Sequence, residues 1–574
     1  MRLWVWQNIV VGAALLASSV VGAAQSGAQL ALPQQAAVAS AHPKATEAGH
    51  RVLAQGGNAC DAAVAVTAAL AVVEPYGSGL GGGGFYLTRT AEGKAKMLDA
   101  RETAPADASA DMYLDSHGDV VPRLSIDGPL AAGIPGIPAA LDELSSRCGQ
   151  LSLADSLAPA IELAEQGFAF DQKIVDMLGF RQQAIAASPA ASEIFFNNGE
   201  LPKVGEVLVQ RDLAAVLKRI AERGREGFYA GDTAEALVEG VQRAGGIWQL
   251  KDLDNYRPQW REPVVGEYRG MSVTAAGLPS SGGIVLLQML NILRQFPEDS
   301  LEMDRPLALH LQVEAMRRAY RDRAEYLGDA DFVDVPRERL LSPHYAAGLA
   351  ASIRSDRATP SESLPGIVQA AGGEDTTHFS IVDRQGNAVA ATLSINYPFG
   401  SGFVPPGTGV LLNDEMDDFS SKPGVANVYG LVGSRANAIA PNKRMLSSMT
   451  PTFIEKDNKL LALGSPGGSR IITMVLRGAL DFYRGRTLND IVSAPRIHHQ
   501  FLPDVVQFEP EALSRNQQLE LQLMGHELKE MGRQYGNMQA VLWDMASGEV
   551  EAASDPRGLG RADLGSYGEN TASQ

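Results

Sequence analysis

Near residue 375 the chain changes its hydrophobic period, and that change limits the folds open to it. From about Leu151 to Leu341 the apolar residues recur at helical spacing, in 153–166, 212–221, 233–244 and 307–326, with another helix from Gly283 to Leu293. Between 360 and 374 Pro, Ser, Gly and Ala take over, which reads as an exposed linker. Beyond it strand patterns dominate: 377–382, 388–395, 409–412, 451–455, 460–463, 538–543 and 548–553, with helices at 471–483 and 516–531. There is no βαβ alternation and no internal repeat. The pattern predicts an α+β chain with mixed sheets sandwiched by helices.

Residues 36–73 are Ala-rich with helical spacing, broken at Gly56-Gly57. Then Gly79-Leu80-Gly81-Gly82-Gly83-Gly84 enters the strand-like Phe85-Tyr86-Leu87-Thr88. Such glycines let the backbone pass close to another element or a ligand. No Gly-Lys-Ser/Thr follows, and no G-x-G-x-x-G lies between a strand and a helix, so phosphate-loop and dinucleotide readings are unsupported. No cofactor is expected.

Arg2, an apolar run from Ile9 to Val21 and the exit Gly22-Ala23-Ala24-Gln25 describe a secretory signal peptide over 1–24. The run is short for a bilayer span, so a secreted or periplasmic protein without a stable membrane span is expected. With 574 residues, 20% charged and 45% hydrophobic, the rest can build a large folded core. A formal net charge of −18 opposes nucleic-acid binding. The two cysteines, Cys60 and Cys148, are too few for a stapled scaffold. Cys60 lies in an Ala/Val-rich stretch suited to a buried thiol, and the sequence leaves open whether the two meet.

The linker ends in Glu374-Asp375-Thr376-Thr377-His378-Phe379-Ser380. A Thr hydroxyl is a poor nucleophile without an adjacent base. Were the chain cut before Thr376, the new α-amine, with an ordinary pKa of about 8, would be that base. Most Thr pairs, however, are simply strand residues.

The longer motifs change that balance. DTTHFSIVD, NDEMDDFSSKPGVANVYGLVG, APNKRMLSSMTPT and GSPGGSRII resemble the γ-glutamyltranspeptidases, as do LGGGGFYL, LDARETAP and EAMRRAYRDRAEYLGDADFVDVP upstream. The likeness spans nearly the whole chain after the signal peptide, in the family's order. It implies the four-layer αββα sandwich of the N-terminal-nucleophile hydrolases and one precursor that cuts itself before Thr376. A large subunit, 25–375, and a small catalytic one, 376–574, would result. The substrates implied are glutathione and other γ-glutamyl compounds, with water, amino acids or peptides as acceptors.

The same resemblance assigns roles. Thr376 aligns with the nucleophile, which first attacks the Asp375 carbonyl. Gly467 and Gly468 align with the oxyanion-hole glycines. Arg101, Ser447 and Ser448 align with groups that hold the substrate carboxylate. Asn396, Glu415 and Asp418 align with acceptors for its ammonium, and Tyr429 with a lid residue. Ser394 stands where the family commonly has a Thr that bonds the nucleophile, and Asn413-Asp414 replaces a commoner Asn-Asn. Taken singly, Arg101 reads as a surface salt bridge, the acidic residues as a solvated loop, and Ser465–Ser469 as a turn entering a helix.

The nine histidines show no metal spacing. His498 and His499 are adjacent and would point apart, and His378 suits ordinary strand packing. Two other readings remain: a glutaryl-type acylase of the same fold, whose substrates lack the ammonium, and an exported binding protein that is never cut.

Overall fold

The computed structural model describes residues 30–302, 305–364, 376–422 and 424–567. The signal peptide, most of the linker and Asp375 lie outside them. One sheet has seven strands, in the spatial order Arg561–Gly565, Ala36–Ser40, Thr377–Val382, Ala388–Ser394, Gly83–Arg89, Ala95–Ala100 and Gln259–Arg261. The other has six: Val550–Ser554, Gln539–Asp544, Lys459–Gly464, Thr452–Lys456, Met271–Ala275 and Val264–Tyr268. Every neighbouring pair in both is antiparallel. Alternation in a sequence does not encode strand direction. Among the described residues the one parallel ladder pairs Val506–Phe508 with Leu528–Glu530 in a small third sheet.

Side-chain alternation divides the core into layers. Val38, Tyr86, Leu98 and Ile381 pack under the helices Pro43–Ala54, Ala59–Val73, Ile137–Cys148 and Leu153–Gln166. Their strand neighbours Ala37, Ala39, Phe85, Leu87 and Met97 face the other way, onto Phe453, Ala462 and Val541 of the second sheet. The far side of that sheet is covered by Gly282–Leu293, Pro306–Tyr326 and Ile471–Tyr483. The expected αββα order is therefore present.

Three local expectations differ. Residues 36–40 form a strand, because small side chains fit a position buried on both faces, and the helix begins only where His42 caps Pro43. Residues 409–412 form no strand: Gly407 and Gly409 take positive φ of 74° and 64°, and only Leu412 makes a bridge, to Gly81. The helix expected over 516–531 is Arg515–Leu523, broken at Gly525 (φ 95°), and Leu528–Glu530 is extended. The cysteines are not free thiols. Cys60 and Cys148 form a disulfide across 88 residues, tying the start of one outer helix to the end of another.

Candidate active site

Thr376 immediately precedes the strand Thr377–Val382, an interior strand of the seven-stranded sheet. It is 7% exposed. Its neighbour Thr377 donates from Oγ1 to Glu74 Oε2 at 2.5 Å, which pins the start of the strand. Thr376 lies between two cavities. An open groove of about 1140 Å³, counted to its mouth, is lined by Glu74, Tyr76, Lys173, Gly467 and Arg533. A smaller pocket of about 270 Å³ lies inward, also bordered by Thr376.

The inner pocket gathers most of the residues singled out from sequence: Arg101, Ser394, Asn396, Glu415, Asp418, Tyr429, Ser447, Ser448 and Gly468. Gly467 lines the outer groove instead. Asp375 falls outside the described residues. Long loops bring these groups together, held by the glycine-rich run. A Cβ on Gly81 would lie 2.1 Å from Leu411 O, and one on Gly82 2.2 Å from Ser394 O. Those glycines therefore serve close backbone packing. Asn413 fastens the same junction, accepting from Gly133 N and Glu415 N and donating to Gly81 O and Gly133 O.

Arg101 is fully buried, not a surface ion. Its guanidinium donates to Glu415 Oε2 and Asp418 Oδ2, each at 2.5 Å, to Glu102 Oε2 at 3.4 Å, and to Met445 O at 3.2 Å. Three carboxylates thus face one guanidinium. Glu415 Oε1 and Glu102 Oε1 are buried without a hydrogen-bond partner among the described residues. Burial pushes both carboxyls above the usual range, and Arg101 opposes the shift. The cluster has one cation for three carboxyl groups. Glu102 was passed over in the sequence because a lone acid beside an arginine carries no signal of burial.

Ser394 Oγ accepts from Asn396 N at 2.8 Å, and Asn396 donates to Asp414 O at 3.0 Å. Asn396 holds φ at 74°, so a side chain other than Gly occupies the left-handed region here. Tyr429 is buried, and its hydroxyl donates to Asn396 O at 2.5 Å. A Cβ on Gly468 would come within 2.5 Å of the Tyr429 ring. The loop therefore rests on the Gly467-Gly468 backbone, where φ is 139° and 54°. Those glycines lead through a short 3-10 turn into the helix Ile471–Tyr483, whose N-terminus favours negative charge.

The histidines do other work. His378 lies between the sheets, bonded to Thr392 Oγ1 at 2.8 Å and Ser380 Oγ at 3.1 Å, and burial lowers its pKa to about 3. His498 and His499 turn apart, to Thr473 and Gln500 on one side and Asp504 on the other. The histidines that approach each other are distant in sequence: His310 Nδ1 lies 2.8 Å from His526 Nε2, near Glu314. That carboxylate is already bonded by Arg317, Arg318 and Thr359.

A strand that begins with a buried threonine, inside an αββα sandwich, defines an N-terminal-nucleophile hydrolase. The family model for gamma-glutamyltranspeptidase matches residues 45–564. The chain belongs to that family. It is 43% identical over 549 residues to a glutathione hydrolase proenzyme of Pseudomonas aeruginosa, covering 94% of this chain and 96% of the relative. The Escherichia coli glutathione hydrolase proenzyme is 42% identical over 536 residues, covering 92% and 91%. A solved cephalosporin acylase from Bacillus halodurans superposes with a TM-score of 0.81 at 28% identity, covering 93% of this chain and 96% of that one.

Proposed function

We propose that this enzyme cleaves γ-glutamyl amides, glutathione among them, with Thr376 as nucleophile, and passes the γ-glutamyl group to water, amino acids or peptides. The observation that carries this reading is the inner pocket, whose excess of buried carboxylate is completed by a ligand that brings its own ammonium. Glutaryl amides bring none, so a glutaryl acylase would leave Glu415 and Glu102 uncompensated at a cost of about 1–3 kcal/mol for each unpaired group.

In the precursor, Thr376 Oγ adds to the Asp375 carbonyl and the peptide nitrogen leaves as an amine. Water then hydrolyses the ester, giving 25–375 and 376–574 after loss of the signal peptide. The freed α-amine takes the hydroxyl proton as Oγ attacks the γ-carbonyl, and hands it to the departing amine. Backbone N–H groups of Gly467 and Gly468 meet the developing oxyanion, a contribution of about 3 kcal/mol per donor. Ser394 steadies the nucleophile's surroundings through Asn396 and Glu415. Arg101, Ser447 and Ser448 serve the carboxylate, Asn396, Glu415 and Asp418 the ammonium, and Tyr429 closes the pocket. Export is supported by the N-terminal apolar run and by the disulfide. No helix of the described residues is long and apolar enough to cross a membrane.

Denaturing electrophoresis with mass spectrometry tests the scheme. Wild type is expected to give two pieces, one starting at Thr376, and Thr376→Ala a single inactive chain. A Thr376→Ala protein that still splits and turns over γ-glutamyl anilide would refute the assignment, and an active wild type that runs as one chain would do the same.

A further inference from the structure

The helix Pro306–Tyr326 carries four arginines, Arg317, Arg318, Arg321 and Arg323. The first three each have a carboxylate within ion-pair distance: Glu314 for Arg317 and Arg318, Asp322 for Arg321. Arg323 is also buried, at 5% exposure, yet among the described residues no carboxylate lies within that distance of it, Asp418 acting on it only from farther off. Its guanidinium reaches hydroxyls instead. Nε donates to Ser281 Oγ at 2.9 Å, and Nη2 donates to Ser448 Oγ at 3.0 Å. Leaving a buried cation with neutral partners is costly, so its place beside the inner pocket calls for an explanation.

The direction of those hydrogen bonds supplies one. A guanidinium has donors and no acceptor, so Ser448 Oγ must accept from Arg323 and keeps its own proton to give elsewhere. Ser448 lines the inner pocket. The same logic holds one residue earlier, where Ser447 Oγ accepts from Met449 N at 3.1 Å. Two adjacent hydroxyls are thereby set as donors into one pocket, which suits the two oxygens of a carboxylate. The second arm of Arg323 fixes their backbone. Ser281 Oγ, itself held by Nε, donates to Ser447 O at 2.6 Å, and Ser281 N donates to the same oxygen at 2.8 Å.

We propose that Arg323 is a positioning residue for the donor substrate's α-carboxylate: acting through Ser448, it keeps that hydroxyl pointed into the pocket and makes the enzyme select donors that carry the carboxylate. The proposal rests on the γ-glutamyl reading above. It also separates the two ends of the zwitterion. The carboxylate is met by Ser447 and Ser448, with Arg101 beside them and the Arg323 guanidinium behind Ser448, and the ammonium by Glu415 and Asp418. The stretch EAMRRAYRDRAEYLGDADFVDVP carried the family resemblance without a role, and Arg323 within it now has one.

The test compares L-glutamate with 4-aminobutyrate, which keeps the ammonium and the distal carboxylate and lacks only the α-carboxylate, as competitive inhibitors of γ-glutamyl anilide hydrolysis. Wild type is expected to prefer glutamate. Arg323→Gln should cut that preference by about tenfold through the glutamate inhibition constant, as loss of one hydrogen bond to a charged group predicts, leaving the 4-aminobutyrate constant in place. If both constants rise together, or the preference is unchanged, Arg323 is only a structural prop and the proposal fails. Should Arg323→Gln not fold, Arg323→Lys serves: Ser448→Ala is expected to cost less in that background than in wild type, whereas fully additive penalties overturn the coupling. A wild type that splits the anilide but does not prefer glutamate refutes the carboxylate assignment as a whole. A wild type with no anilide hydrolysis refutes the γ-glutamyl reading first.

Discussion

Glu415 illustrates how a single side chain links folding, acidity and substrate choice. Burial raises its pKa above the usual carboxylate range, with Asp418 adding to the shift and Arg101 and Ser394 opposing it. The native protein therefore keeps this proton over a pH interval in which the unfolded chain has already released it. By linkage, this carboxyl's contribution to stability falls as pH rises across that interval, and the cost of its charge is full above it. An ammonium ligand reverses the preference, because it favours the ionised form. Glu415→Gln should thus hold or raise stability at pH 8, while kcat/KM for γ-glutamyl anilide drops by about 100-fold, the scale of an unmade charged hydrogen bond. Glutaryl anilide should be affected far less. Urea titration and kinetics with the two anilides measure both outcomes, and an equal loss on both substrates would contradict the ammonium role. At this scale the long motifs led to Arg101, Glu415 and Gly468, which the structure gathers around one pocket. Glu102 and Arg323 lie within the same kind of motif and were not singled out, because their importance comes from burial and from the direction of a hydrogen bond.

Between elements, the outer helices show what local patterns can and cannot convey. The helices at 153–166 and 471–483 were readable to the residue, since an N-cap Ser152 opens one and a strong apolar face defines the other. The strand Ala36–Ser40 was not, because five small residues have no period of their own and take their state from the partners on either side. The Cys60–Cys148 bond was likewise hidden, since pairing depends on where two helix ends meet. It spans 88 residues, and closing so long a loop in the unfolded chain gives a stabilisation of about 2–4 kcal/mol. The double variant Cys60→Ser/Cys148→Ser is expected to lose that amount in denaturant unfolding while keeping kcat, because the bond ties helices on the outer face rather than the loops around Thr376. A matching fall in kcat at a temperature where the variant is folded would show that the outer layer reaches the site.

Across the whole molecule, the proposed cut would leave two pieces that share their sheets. In the seven-stranded sheet, Ala36–Ser40 from the first piece lies between Arg561–Gly565 and Thr377–Val382 from the second. In the six-stranded sheet, Met271–Ala275 of the first pairs with Thr452–Lys456 of the second. The disulfide joins residues within the first piece only. The two pieces are therefore expected to co-elute as one particle without reductant or with it, and to part only in denaturant. Separation on a native sizing column would contradict this. The four-layer order was legible from motif resemblance, but this interleaving was not, because register and strand order are set by contacts between residues hundreds of positions apart.

The pairing of Ala36–Ser40 with Arg561–Gly565 also means that the two ends of the described chain run side by side. A gene rewired to begin at Thr376, with Tyr567 spliced back to Leu30 by a short spacer, would keep every ladder of the sandwich. Under the mechanism proposed here, trimming its initiator methionine would release the threonine amine at birth, so such a permutant would need no maturation step to become active.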